Sequence, residues 1–189
     1  MPEIQNLSNA ALLVLDWQLF FVSPESPAYL PDALGIEGNV CALVDSFLAA
    51  RKRVVATRHG HARDGCGPFL EFYGKLLYED DPLAELAPFL RDRLSIRTIR
   101  KDTYSAFASS DLAEKLKAGG VETLVIAGLQ TDKCIVANAL AAFDRGFRVV
   151  VAEDACVARD RERHLGALRL LERSCARVAT AREIRGAIS

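Results

Sequence analysis

Six short apolar or β-branched runs, separated by longer stretches of mixed character, set the rhythm of the chain. They are "ALLVLD" at 11–16, "RVVATR" at 53–58, "IRTIRK" at 96–101, "TLVIAG" at 123–128, "FRVVVAED" at 147–154 and "ARVATA" at 176–181. Most are continuously apolar rather than alternating, which is the pattern of parallel strands covered by helices on both faces. The stretches between them repeat at helical spacing. Residues 38–51 put Val40, Leu43, Val44, Phe47 and Leu48 on one face, and "SDLAEKLKAGG" runs from a cap at Ser109 or Ser110 to Gly119 and Gly120. Residues 133–145 and 160–173 supply two more helices. Strand and helix in alternation, with short connections, predict right-handed crossovers and a three-layer α/β/α fold around a six-stranded, mostly parallel sheet.

One region breaks the rhythm: 59–81, "HGHARDGCGPFLEFYGKLLYEDD". Irregular segments of that length in compact domains usually carry function or local structure of their own, so a lid or a subunit contact is expected there. No internal repeat, low-complexity tract or linker divides the chain, and residues 1–189 read as one domain.

Composition narrows the function classes. A chain of 189 residues with 50% hydrophobic and 26% charged residues supports one sizeable core without a disulfide or metal. No apolar run is long enough to span a bilayer. Basic and acidic residues number 24 and 25 and are interspersed, so a nucleic-acid partner has no electrostatic support. The N-terminus lacks a basic segment ahead of its apolar stretch, which Asp16 interrupts, so no signal peptide is expected. The five cysteines, at 41, 66, 134, 156 and 175, are odd in number and without paired spacing, as suits reduced thiols in the cytoplasm.

Candidate chemistry follows from the strand ends. In open parallel sheets, ligands bind beyond the carboxyl ends of the strands. Asp16 closes the first strand, Lys101 closes the third, and Cys134 lies just past the fourth. A cysteine at a helix start is expected to gain thiolate character from the unpaired N–H groups and the helix dipole. A lysine beside it adds to that, and a carboxylate can take the thiol proton and return it to a leaving amine. Each residue also has a plain reading: a core thiol, which is the reading for Cys41, Cys156 and Cys175, a turn-capping carboxylate, a solvated lysine. What sets Asp16, Lys101 and Cys134 apart is that all three fall at one sheet edge.

The segments "LLVLDWQ", "RKDTYSAF" and "AGLQTDKCIVANALAAFDRGFRVVVAEDA" resemble the three signature segments of the isochorismatase-like cysteine hydrolases, whose members include nicotinamidases and N-carbamoylsarcosine and ureidoacrylate amidohydrolases. The similarity covers residues 10–180. It implies a sheet of order 3-2-1-4-5-6, Asp16 as general base and acid, Lys101 as its electrostatic partner and Cys134 as nucleophile. It also implies a cis peptide between Leu129 and Gln130, with the backbone N–H groups of Gln130 and Cys134 forming an oxyanion hole. The expected reaction is hydrolysis of a C–N bond in a small amide, ureido or carbamoyl compound through a thioester. Members without the cysteine hydrolyse the isochorismate vinyl ether, which is the alternative, along with a non-catalytic ligand-binding member and a redox thiol. A homodimer or homotetramer is implied as well.

Nicotinamidases bind zinc through an Asp-x-His pair plus a further histidine. Here "TRHGHARD" puts His59 where that aspartate stands, and only His61 and His164 remain. No metal and no cofactor are therefore expected, although His59 and His61 with Asp64 form a conceivable weak site. Gln18, Phe21, His59, Tyr104 and Phe107 are the expected substrate contacts. No G-x-S-x-G, P-loop, H-E-x-x-H or dinucleotide motif competes.

Overall fold

A computed structural model describes residues 7–64, 67–108 and 110–188. Three readings from the sequence fall outside it: the leader reading at residues 1–6, the cap at Ser109 and the thiol of Cys66.

The six apolar runs become six strands: β1 Ala10–Leu15, β2 Val54–His59, β3 Arg97–Lys101, β4 Thr123–Leu129, β5 Arg148–Val157 and β6 Ala176–Ala179. They form one sheet of order β3-β2-β1-β4-β5-β6, and every neighbouring pair is parallel. Successive side chains point to opposite faces, so each strand feeds two cores. Leu12 and Val14 pack on one face with Val44, Phe47 and Ile184, from helices α2 (Pro31–Ala49) and α8 (Ala181–Gly186). Leu13 and Leu15 pack on the other face with Leu112, Leu116, Ala139 and Leu171, from α5 (Leu112–Ala118), α6 (Val136–Asp144) and α7 (Arg161–Ser174). Two covered faces explain why the strands are apolar without alternation. No described helix is long and apolar enough to cross a membrane.

Several boundaries differ from the sequence reading. The predicted helix at 38–51 begins at Pro31, because proline suits the first helical position and its missing N–H costs nothing there. The helix after residue 109 starts at Leu112 with Asp111 at its cap position; the Ser110 hydroxyl accepts from Leu112 N at 3.3 Å. Within the irregular region lies a short helix, α3 (Gly67–Tyr73), none of whose residues is buried, so no apolar face marked it in the sequence. Two four-residue helices, α1 (Leu19–Val22) and α4 (Pro88–Arg91), stand in the connections after β1 and before β3.

Candidate active site

The carboxyl edge of the sheet gathers three reactive side chains from three segments. Asp16 follows β1 with φ of 52°, a left-handed conformation that Asp tolerates better than most residues. Thr57, on the adjacent strand β2, fixes it from two sides: its hydroxyl accepts from Asp16 N at 3.1 Å and donates to Asp16 Oδ1 at 2.6 Å. Lys101 ends β3, opposite His59 of β2, and its long side chain reaches across β2. Lys101 Nζ lies 2.8 Å from Asp16 Oδ2 and donates to Thr103 O at 3.0 Å and to Cys134 Sγ at 3.4 Å. Asp16 is 1% exposed and Lys101 3%, so the ion pair is shielded from water and salt.

Cys134 arrives from the other side of β1. It sits in a π-helical turn, Thr131–Ile135, that precedes α6 rather than in the first α-helical turn itself. The carbonyl of Gln130 accepts from Lys133 N at 3.1 Å and Ile135 N at 3.2 Å, and the Leu129–Gln130 peptide is cis. Gly128 leads into this turn at φ of 113°, and a Cβ there would stand 2.2 Å from Leu15 O. Only glycine fits, since both the dihedral and the contact with β1 exclude a side chain.

Supporting groups that were not legible in the sequence hold this turn. Asn138, one helical turn beyond Cys134 and fully buried, donates to Cys134 O at 2.7 Å and Tyr104 O at 2.9 Å and accepts from Ala106 N at 2.9 Å. Thr131 Oγ1 lies 2.9 Å from His164 Nδ1, and Asp132 lies 3.7 Å from Arg163, so the start of α7 braces the same turn. An amide inside the apolar "VANALAAF" stretch was the one signal for Asn138. Nothing in the sequence distinguished Thr57 from an ordinary strand threonine.

The electrostatics correct one expectation. Burial is the main influence on the Cys134 thiol and pushes its pKa up; the Asp16 carboxylate adds to this, and Lys101 offsets only part. The resting group is therefore a thiol, not the thiolate a helix start suggested. Burial opposes the Lys101 charge too, yet the ammonium is held above its ordinary range, with the Asp16 carboxylate the leading attraction. Burial, followed by the Lys101 charge, depresses His59 to about 4, so its imidazole is neutral near pH 7.

A cavity of about 490 Å³ opens onto this edge, with Asp16, Gln130 and Cys134 among its lining residues. Of the expected substrate contacts, Phe21, His59 and Tyr104 line it. Gln18 and Phe107 do not. Gln18 is fully buried and its amide is consumed by the protein, donating to His59 O at 2.8 Å and Ala84 O at 2.7 Å and accepting from His59 N at 2.8 Å. Phe107 packs in the core beside Phe147, their centroids 6.3 Å apart. The irregular region contributes Phe69, which contacts the rings of His61 at 5.1 Å and Tyr104 at 4.9 Å.

The residues do not fit a zinc site of the kind nicotinamidases hold. Among the described residues no three His, Cys, Asp or Glu side chains gather as a ligand set. His59 and His61 meet edge to face at 4.9 Å, and His164 is engaged with Thr131.

The family described as "Isochorismatase domain" matches residues 10–183. Nicotinamidase 3 of Arabidopsis thaliana is 30% identical over 163 residues, covering 84% of this chain and 78% of that protein. Maleamate amidohydrolase of Pseudomonas putida is 29% identical over 163 residues, covering 82% of this chain and 75% of that protein. The crystal structure of a cysteine hydrolase from Pseudomonas syringae pv. phaseolicola superposes with a TM-score of 0.92 at 23% identity, covering 99% of this chain and 97% of that one; at this identity the likeness is one of fold.

Proposed function

The chain belongs to the isochorismatase family, and from that premise we propose that it is a cysteine hydrolase that cleaves the C–N bond of a small amide, ureido or carbamoyl compound through a thioester on Cys134. The observation that carries the reading is one buried cluster: Cys134 Sγ is 3.4 Å from Lys101 Nζ, which is itself 2.8 Å from Asp16 Oδ2. Two members of that cluster, Asp16 and Cys134, line a cavity, and two relatives carry names of amide hydrolases.

The chemistry begins from the thiol. As Sγ attacks the substrate carbonyl carbon, its proton passes to Asp16, so the thiolate is never exposed alone in a dry site. The carbonyl oxygen becomes an oxyanion, and the backbone N–H groups of Gln130 and Cys134 are its proposed donors. Collapse of the tetrahedral species breaks the C–N bond while Asp16 returns the proton to the departing nitrogen. Water then attacks the thioester with Asp16 as base, releasing the acid and restoring the thiol. Lys101 compensates the negative charge as it moves between Asp16, sulfur and oxygen. Thr57 donates to Oδ1 and Lys101 pairs with Oδ2, so the carboxylate that receives the proton is held from both sides.

A screen for ammonia release from small amides and ureides tests this, with Cys134→Ala as the blank. Turnover is expected to fall about 10³-fold or more in Cys134→Ala and in Asp16→Asn, because members of one catalytic unit are each indispensable. Intact-mass analysis of quenched reactions should show an acyl adduct that maps to Cys134. Full activity in the alanine variant would end the reading.

A further inference from the structure

Beyond the catalytic cluster, the cavity has a charge pattern of its own. Three cations from three separate segments line it: Lys75 just after α3, Lys133 beside Cys134, and Arg159 just past the end of β5. None of them forms an ion pair among the described residues. The negative groups on the same wall are fewer. Asp16 is neutralised by Lys101 at 2.8 Å, and Asp81 has a carboxylate oxygen tied to Leu83 N at 2.8 Å as a helix cap. Asp132, next to Lys133, faces Arg163 at 3.7 Å instead. Two positive charges remain uncompensated when Asp81 is set against one of the three.

Lys133 is also held in place. Its ammonium stands 5.2 Å from the centre of the Tyr73 ring, and the Tyr73 hydroxyl is hydrogen-bonded to that of Tyr104. A cation over an aromatic face is oriented without being neutralised, so it keeps its charge for a ligand. The remaining walls are aromatic and aliphatic, including Phe20, Phe21 and Phe69. Low-dielectric walls around a group of like charges focus the field and raise the local concentration of counter-ions.

We propose that the substrate is an anionic amide: a small compound whose scissile carbonyl sits at Cys134 and whose other end carries a carboxylate received by Lys133 and Arg159, with Lys75 adding to the attraction. This rests on the amide-hydrolase reading for its chemistry and adds a charge requirement to it. The anion enters attracted by the rim cations, its body lies against the aromatic walls, and the carboxylate fixes which carbonyl meets the thiol. Charge pairing of this kind contributes mainly to encounter and orientation, and so to kcat/KM.

The test uses two amides of matched size, succinamate and the uncharged 4-oxopentanamide, in which a methyl ketone replaces the carboxylate. For the native chain, kcat/KM should be about tenfold or more higher for succinamate. That advantage should shrink several-fold between low and high sodium chloride, since rim charges are screened over a Debye length of about 10 Å at 0.1 M salt. Lys133→Gln and Arg159→Gln, each checked for native circular dichroism, should each collapse the succinamate preference. The salt series needs no variant, so a misfolded variant does not remove the test. Equal kcat/KM for the two amides, or a preference for the neutral one, would overturn the charge inference while leaving amide hydrolysis standing. If neither amide is hydrolysed, binding to Cys134→Ala by calorimetry decides the charge question alone: tighter, salt-sensitive binding of succinamate supports the inference, and equal or absent binding of both overturns it.

Discussion

Thr57 illustrates how much of the site rests on residues that do no chemistry. Its hydroxyl is both acceptor from Asp16 N and donor to Asp16 Oδ1, so it fixes the backbone and the carboxylate together. Thr57→Val keeps the shape and removes both bonds. We expect kcat to fall roughly 10–100-fold, as for other groups that orient a reacting residue, with Thr57→Ser restoring most of it. A purely structural loss would lower thermal stability without this rescue in kcat. The thiol makes a second prediction at this scale. Because Cys134 is held above its ordinary pKa by burial and Asp16, its alkylation rate in the absence of substrate should be low at pH 7 and keep rising through pH 9 without a plateau. A plateau below pH 7 would mean a resting thiolate. Residue identity alone pointed to Asp16, Lys101 and Cys134 as candidates, because reactive groups at strand ends stand out against apolar runs. It could not assign Gln18, whose spacing from Asp16 suggested a substrate contact but whose amide bonds to His59 and Ala84.

At the scale of elements, the strands were legible and the short helices were not. A strand buried on two faces carries its signal in every residue, as Leu12 and Leu13 do for opposite cores. No residue of helix α3 is fully buried, and it left no periodic trace. The junction between β4 and the cysteine turn has a strict local requirement. Gly128→Ala would place a Cβ 2.2 Å from a β1 carbonyl oxygen at a dihedral that disfavours any side chain. We expect a loss of at least about 2–3 kcal/mol, read as a fall in urea midpoint, or no soluble protein. A milder case is Thr180, which starts α8 with a reciprocal capping box to Glu183. Thr180→Ala should cost about 1 kcal/mol in the same measurement and leave turnover unchanged, as α8 lies away from the cavity.

For the whole molecule, acid stability reports on the histidines. His59 is depressed to about 4 by burial and then by Lys101, from an unfolded value of 6.5. A folded pKa below the unfolded one contributes stability that is complete above pH 6.5 and is lost as pH falls toward 4. His61 and His164 are lowered in the same direction by burial. The unfolding free energy from urea titration should therefore drop steeply between pH 6.5 and 4, by an amount on the order of 2–3 kcal/mol for His59. His59→Gln should flatten that drop; an unchanged slope would show that His59 does not carry it.

The sequence by itself determined the layers and the sheet-forming runs, because hydrophobic burial leaves a periodic record wherever a residue's neighbours in space are set by its own strand or helix. Through its signature segments it also nominated Asp16, Lys101 and Cys134. Only the tertiary structure decided what those three are to one another. The sheet order puts β2 between the carboxylate and the lysine's strand, yet the Lys101 side chain spans it and lies within 3.4 Å of the sulfur. The same packing dries the site, which turns the expected thiolate into a thiol, and brings Lys75, Lys133 and Arg159 to one cavity from positions far apart in the chain. Distance and dielectric are properties of the assembled layers, and a linear pattern of apolar and polar residues carries neither.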